Sequence, residues 1–430
     1  MGRTRRLRGI VGSRISRDAA GPQRKPRPEE AAVAEAFDVV IAGGAAMGSS
    51  VAYHLLQEPG FSGRVLVLDR DPSYRRSASA LSAASIRQQF STAVNIRISL
   101  YGVAFLRDIA DRLAVGSERP DVGLREAGYL YCATAAGAGI LAENHALQQA
   151  EGADILLMGP EALAARFPWL RTDDLACATW GRSGEGWFDG WSLLQALRAK
   201  ARALGAEYRA GEIIAVEREG GRVAAVRLRD GTRIGCGALV NCAGSGGPAL
   251  ARAAGVDIPV RAKRRYVFTF TCPEPIPDAP LVIDAGGAWF RPEGQGFIGS
   301  ISPAPGEPDP DWDDDDPATQ EVDWSVFEER VWPALAHRVP AFEAIRPGRA
   351  WAGPYDMCLF DHNAIVGPAP GFENLYLCNG FSGHGLQQAP AVGRGTAELI
   401  VRGRYATLDL SDLGHERIAA LRPLLERNVI

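Results

Sequence analysis

The chain has 430 residues, of which 46% are hydrophobic and 23% charged, and a formal net charge of -4. These values describe a large globular protein with room for two or three lobes; the charge gives no reason to expect nucleic acid as a partner, and no apolar run is long enough to cross a bilayer. The 7 cysteines (132, 177, 236, 242, 272, 358 and 378) are scattered without a C-x-x-C pair, which argues against a disulfide framework or a zinc site.

The N-terminal stretch MGRTRRLRGIVGSRISRDAAGPQRKPRP is rich in arginine and lacks an apolar h-region, so it does not read as a secretory signal. Residues 1–35 are expected to form a disordered basic tail. Only Lys25, Lys200 and Lys263 are lysines. Taken as the coding bias of a GC-rich genome, this points to a bacterial, cytoplasmic protein. A mitochondrial location is the alternative if the basic tail is a transit peptide.

FDVVIA, residues 37–42, is a short β-branched apolar run and predicts a buried parallel strand. A glycine turn and a helix from Met47 to about Glu58 follow; Pro59-Gly60 ends the helix. RVLVLD predicts a second buried strand ending on Asp69. This is a βαβ unit of dinucleotide-binding type. Gly43 permits the tight turn and Gly48 permits close packing of helix on sheet. Ala45 stands where the backbone approaches a pyrophosphate, with Gly44 beside it. The helix start offers free N–H groups and a positive dipole end. Asp69, about twenty residues beyond the last glycine, can accept hydrogen bonds from a ribose.

The small-residue segment PSYRRSASALSAASIRQQF can lie against a flat ligand. Residues 205–230 predict a meander with turns at Gly220-Gly221 and Asp230-Gly231. GALVNCAGSGG returns to a buried strand and a turn at Gly244, with no second helix–strand–acid behind it. NLYLCN predicts a strand leading to Gly380, and GFSGHG opens a helix carrying small residues. One dinucleotide turn plus auxiliary glycine turns fits a single long cofactor.

These segments, with RPEGQGFIGS and DHNAIVGPAP, resemble in order the D-amino-acid oxidase or glycine/sarcosine oxidase superfamily of FAD enzymes over residues 36 to 410. LSAASIRQQFS, WAGPYD and GFSGHGLQQAP most resemble the branch of FAD-dependent oxidoreductase-domain proteins, one mitochondrial member of which is associated with assembly of respiratory complex I. The resemblance implies an α/β fold: a Rossmann-type, glutathione-reductase-like FAD domain interleaved with an α+β substrate domain built on an antiparallel sheet. The FAD domain would comprise 36–110, 190–258 and 350–430, with a C-terminal tail. The substrate domain would comprise 111–189 and 259–349.

The same resemblance implies FAD held by Gly43, Gly44, Ala45, Met47 and Gly48. Asp69 would meet the ribose, with Arg70 beside it, and Ser79, Ser82, Ala83 and Ser85 would lie along the ligand. Backbone contacts fall near Ile213, Ala243 and Gly244. Gly380, Ser382, Gly383, His384, Gly385, Leu386 and Gln387 would surround the flavin ring. The implied reaction is oxidation of a C–N bond in an amine or N-alkyl amino acid by hydride transfer to flavin N5, with Arg87 as substrate anchor. His384 reads first as a cofactor contact and second as a general base. Trp289 and Tyr266 are the pocket candidates among the aromatics.

The pattern departs from the family in three places. Gln387 replaces the lysine of sarcosine oxidases after GHG. Phe297 stands where those oxidases carry an oxygen-activating lysine, which favours a dehydrogenase over an oxidase. The attachment cysteine of some members falls at Pro354, with Cys358 out of register, so non-covalent FAD is expected. The acceptor would be a quinone, an electron-transfer flavoprotein or O2. A FAD-bound assembly or scaffold protein with little turnover is the alternative, and a NAD-linked dehydrogenase is a third reading. No metal site is expected. The run DPDWDDDDP (309–317) lacks the glycine and twelfth-place glutamate of a calcium loop and reads as a solvated loop.

Overall fold

The apolar run Val39-Val40-Ile41 is almost wholly inaccessible to solvent. It forms the centre of strand β1 (Glu35–Ala42), which pairs in parallel with Arg233–Asn241 on one side and with β2 (Val65–Asp69) on the other. A strand flanked on both edges and covered on both faces has no room for a polar side chain. The computed structural model describes residues 35–304 and 306–428. The expected basic tail lies outside these residues, apart from Glu35.

The eight-stranded sheet around β1 also takes Glu207–Ala210, Leu375–Asn379 and Ile365–Pro368 into its main path. Only the last of these pairs antiparallel. The expected meander is therefore divided. Glu207–Ala210 joins the sheet parallel to β2, while Ile213–Glu219 and Arg222–Leu228 form an antiparallel hairpin leading to Arg233–Asn241.

Helix α1 (Ala46–Gln57) packs under this sheet and against the long helix Gly385–Arg402. Ser50 Oγ donates to the Ala389 carbonyl at 2.7 Å, and a Cβ on Gly393 would fall 2.3 Å from that hydroxyl. Small residues thus let the two helices meet closely.

A second eight-stranded sheet runs in the order Arg346–Cys358, Val260–Thr271, Gly296–Ile301, Ala288–Glu293, Leu281–Ile283, Tyr129–Ala133, Cys177–Gly181 and Ile155–Met158. Every pair is antiparallel except Leu281–Ile283 with Tyr129–Ala133. One side is sealed by an aromatic cluster in which Phe270, Phe290 and Phe297 pack around Phe342 at centroid distances of 5.3, 4.9 and 5.2 Å. Strand Arg346–Cys358 stays in this sheet to its end, so the return to the first sheet lies beyond the boundary at 350 expected from sequence. Among the described residues, no helix is long and apolar enough to cross a membrane.

Candidate functional site

A cavity of about 530 Å³ is lined by residues from both sheets and their turns. That volume suits a ligand pocket. Gly43, with φ of 93°, makes the turn out of β1, and a Cβ there would sit 2.3 Å from the Cys242 carbonyl. A Cβ on Gly48 would sit 1.8 Å from the carbonyl of Gly43. Together the two glycines bring the start of α1 against the strand ends. Ala45 caps α1 without any side-chain hydrogen bond, and no acid lies in the first turn. The helix start, with Ala45 and Met47 on the lining, therefore offers a positive dipole end to the cavity with no acid of its own in the first turn, which suits an anion.

Asp69 orders this turn. Its Oδ2 accepts from the Gly44 N–H at 2.8 Å and its Oδ1 from the Asp71 N–H at 2.9 Å. Burial raises its pKa, opposed by these two main-chain donors. Ser79 Oγ accepts from the Ala46 N–H at 3.3 Å, and Ala83 offers its carbonyl to Arg291 at 2.7 Å.

Of the residues expected from sequence, Gly43, Ala45, Met47, Asp69, Arg70, Ser79, Ser82, Ala83, Ser85, Arg87, Ala243, Gly244, Gly383, His384, Gly385, Leu386 and Gln387 line the cavity. Gly44, Gly48, Ile213, Gly380 and Ser382 do not. The glycines among them act through the backbone. Gly44 donates to Asp69, Gly48 sets the helix against the turn, and Gly380, at φ of 69°, has Val260 where a Cβ would point. Ser382 instead accepts from the Cys358 N–H at 3.1 Å. Ile213 opens the hairpin strand Ile213–Glu219, and its neighbour Glu212 reaches the cavity.

Arg87 is buried, and its guanidinium has partners within the chain. Nη1 donates to the Gln89 carbonyl, and Nη2 donates to the Asn428 carbonyl and lies 2.8 Å from His384 Nε2. Its carbon Cζ sits 4.0 Å above the Phe90 ring. The segment that carries it is held from beneath by Glu185, whose Oε1 accepts from the Gln88 and Gln89 N–H groups at 2.5 and 3.1 Å. Burial raises the Glu185 carboxyl to about 7. Gln387 Oε1 accepts from the Arg87 N–H at 3.0 Å and the Ser99 hydroxyl at 3.3 Å. His384 has a pKa well below the ordinary histidine value, first through burial and second through Arg87.

Sequence reasoning missed Tyr74, Arg265, Tyr355 and Asp356 on the lining. Asp356 Oδ2 accepts from the Gly380 and Phe381 N–H groups at 3.0 and 3.2 Å, and burial raises its pKa to about 6. Nothing local in PYDMC marks an acid bonded to a turn twenty-odd residues away.

Phe297 lies away from the lining, stacked 5.5 Å from Phe270; Ser300 and Ile301 supply that strand's contribution. The acidic run is also not a free loop. Asp309 pairs with Arg265 at 2.6 Å, Asp311 with Lys263 at 2.7 Å, and Asp314 with Arg70. Asp314 also accepts from Ser245 Oγ at 2.5 Å and Trp312 Nε1 at 2.7 Å. Alternating acids matched to a row of bases pull the loop onto the cavity mouth.

A family model described as "DAO: FAD dependent oxidoreductase" matches residues 38–399. The FAD-dependent oxidoreductase domain-containing protein 1 of Xenopus laevis is 42% identical, over 92% of this chain and 85% of its own length. The sarcosine oxidase subunit beta of Rhizobium meliloti is 25% identical, over 92% and 90%. The crystal structure of L-proline dehydrogenase from P. horikoshii superposes with a TM-score of 0.79 at 23% identity, covering 90% of this chain and 99% of that one, a likeness of fold. Relatives sharing the Xenopus protein's name come from Bos taurus and Mus musculus, and one described as its homolog comes from Drosophila melanogaster. They overturn the expectation of a bacterial cytoplasmic protein. An excess of arginine over lysine does not by itself mark a kingdom or a compartment.

The residues present fit FAD. The start of α1 with no acid in its first turn, the turn in which backbone fills the Cβ positions of Gly43 and Gly48, and Asp69 at the end of β2 would suit a dinucleotide.

Proposed function

Because the chain belongs to the DAO family of FAD-dependent oxidoreductases, we propose that it oxidises the C–N bond of an amine or N-alkyl amino acid, working as a dehydrogenase. When bound, FAD accepts the hydride from the carbon beside nitrogen. The observation that carries this reading is the continuity of one cavity, which joins the dinucleotide cradle to the His384–Gln387 helix start and to the aromatic wall of the second sheet.

In this reading the backbone N–H groups of Ala45 and Met47 hold the pyrophosphate beside the Gly43 turn, whose own N–H donates to the Leu68 carbonyl at 2.8 Å, and Asp69 accepts from the ribose. The first N–H groups of Gly385–Arg402 offer a positive dipole end to negative charge. Tyr266 and Trp289 shape the substrate space. Cofactor attachment is non-covalent: Cys358 is fully buried, with Sγ 3.6 Å from Asp361 Oδ1. Dehydrogenase rather than oxidase chemistry is supported by the lining, which contains no lysine among the described residues.

The test is the visible spectrum of the purified protein, then anaerobic addition of sarcosine, glycine, proline, D-amino acids and simple amines. Bleaching of a flavin band by one of them, with reoxidation by a dye or quinone faster than by O2, is the expected result. A flavin band that no compound bleaches would leave the assembly or scaffold reading.

A further inference from the structure

We infer that Asp356 recognises the substrate through its nitrogen, so that the preferred substrates carry a basic amine and do not depend on a carboxylate held by Arg87. This rests on the amine oxidoreductase reading above and specifies its substrate class.

The first observation is the state of the arginines. Arg87 donates to Gln89, Asn428 and His384, and is only 1% exposed. Arg265, the other arginine beside the aromatic wall, is clamped by both oxygens of Asp309 at 2.6 and 3.3 Å. An incoming carboxylate would have to displace protein acceptors from either fork. Gln387 adds no charge, and its Oε1 is already engaged.

The second observation is Asp356 itself. It lines the cavity, and among the described residues no ion pair includes it. Its Oδ2 is fixed by Gly380 and Phe381, and its carbonyl accepts from the Ser382 N–H at 2.9 Å. The carboxylate is thus oriented by main chain at the turn that precedes His384. A half-buried carboxylate in the cavity wall with no cation beside it is disfavoured in its ionised form, and desolvation holds its pKa up at about 6. A bound ammonium supplies the missing charge and two or three N–H donors.

The third observation is the wall. Tyr266, Trp289 and Tyr355 line the same cavity, and the Tyr266 hydroxyl is buried without a hydrogen-bond partner. Aromatic faces attract alkylated ammonium groups, and an unpaired hydroxyl can meet a substrate N–H or oxygen.

The holoenzyme would be titrated with dimethylamine hydrochloride and, separately, with sodium acetate, read by flavin difference absorbance and by calorimetry. Wild-type protein is expected to bind dimethylammonium saturably. Asp356→Asn keeps an oxygen for Gly380 and Phe381 and is expected to weaken that binding tenfold or more without weakening acetate. Equal dimethylammonium affinity in wild type and D356N would overturn the inference, as would wild-type binding of acetate but not of the amine. Should D356N lose its FAD, wild-type protein is compared with dimethyl ether, the neutral isostere; equal binding of ether and ammonium overturns it. None of these readouts requires turnover. A failed amine preference is therefore distinct from failure of the enzyme reading, in which no compound reduces the flavin.

Discussion

Arg87 Nη2 lies 2.8 Å from His384 Nε2, with both side chains buried. A guanidinium has only donors, so Nε2 must accept and the ring is neutral, with its hydrogen on Nδ1. That leaves little scope for His384 as a general base, because its basic nitrogen is already engaged. Selective 15N labelling of the 6 histidines should show two imidazoles that stay neutral well below the ordinary histidine range, His54, which is also buried, and His384, of which only that of His384 responds to a change at Arg87. In Arg87→Met its pKa should rise, because one depressing charge is gone. It should stay below the ordinary 6.5, because burial, the larger cause, persists. An imidazole at this position already protonated at pH 7 would exclude the assigned geometry.

Gly48 tests the cradle. A Cβ there meets the Gly43 carbonyl at 1.8 Å, and both partners are backbone. Gly48→Ala must push α1 away from the turn, at a cost of about 1–3 kcal/mol. The expected outcome is a lower melting temperature and at least tenfold less FAD retained through gel filtration. Ala45→Gly, by contrast, removes only a methyl group from the lining and should retain FAD as well as wild type or better. Absorbance at 450 nm relative to 280 nm reads both.

The first βαβ unit is legible in the sequence because each of its demands is local: a β-branched run, a glycine for the turn, a glycine for close packing and an acid at the second strand's end. The helix after GFSGHG is legible for the same reason. The Glu207–Ala210 strand reads as part of a meander because its partner, β2, lies far away in sequence. Motif register sets Phe297 opposite the flavin, yet the aromatic cluster around Phe342 claims its ring. Arg87 stands out in the sequence, but its acceptors do not: Asn428 is distant in the chain and carries no recognisable signal. Asp356 is easily passed over because a lone acid on a strand gains meaning only when a turn from another part of the chain is folded against it.

The loop 309–316 should act as a clasp on the bound cofactor. Asp314 is the centre of it, receiving Arg70, Ser245 and Trp312, while Arg76 donates to its carbonyl. Arg70 and Ser245 both line the cavity. Single exposed ion pairs are worth about 0–1 kcal/mol, so the effect is modest. Asp314→Asn should raise the FAD release rate about threefold to tenfold, measured by the return of free-flavin fluorescence after dilution. Wild-type release should quicken with added salt and approach the variant's rate. Release that is unchanged by either would reduce the loop to a structural cover.

Glu185 and His54 should oppose one another in the pH dependence of stability. Burial lifts Glu185 from 4.5 to about 7 and lowers His54 from 6.5 to about 3; His54 Nε2 has no partner in the core. For Glu185 the folded state binds the extra proton, so its contribution is full below about 4.5 and is lost as pH rises through about 7. For His54 the unfolded state binds the extra proton, so its contribution is full above 6.5 and is lost as pH falls toward 3. Between pH 5 and 6 the two slopes, each about 1.4 kcal/mol per pH unit, cancel. His384 and Asp356 form a second opposed pair by the same signs. Glu185→Gln removes one side only. At saturating FAD, its unfolding free energy in urea should fall about 1.4 kcal/mol further than wild type between pH 6 and pH 5. Relative to wild type, the variant should be more stable at pH 8 than it is in acid, because only wild type then carries the buried carboxylate. The substituted side chain keeps an oxygen for the Gln88 and Gln89 N–H groups but sets an amide against the Gln89 side chain, which lies 2.8 Å from Glu185 Oε2. Parallel slopes for the two proteins would mean that Glu185 is ionised throughout the range, stabilised by its three N–H donors more than burial penalises it.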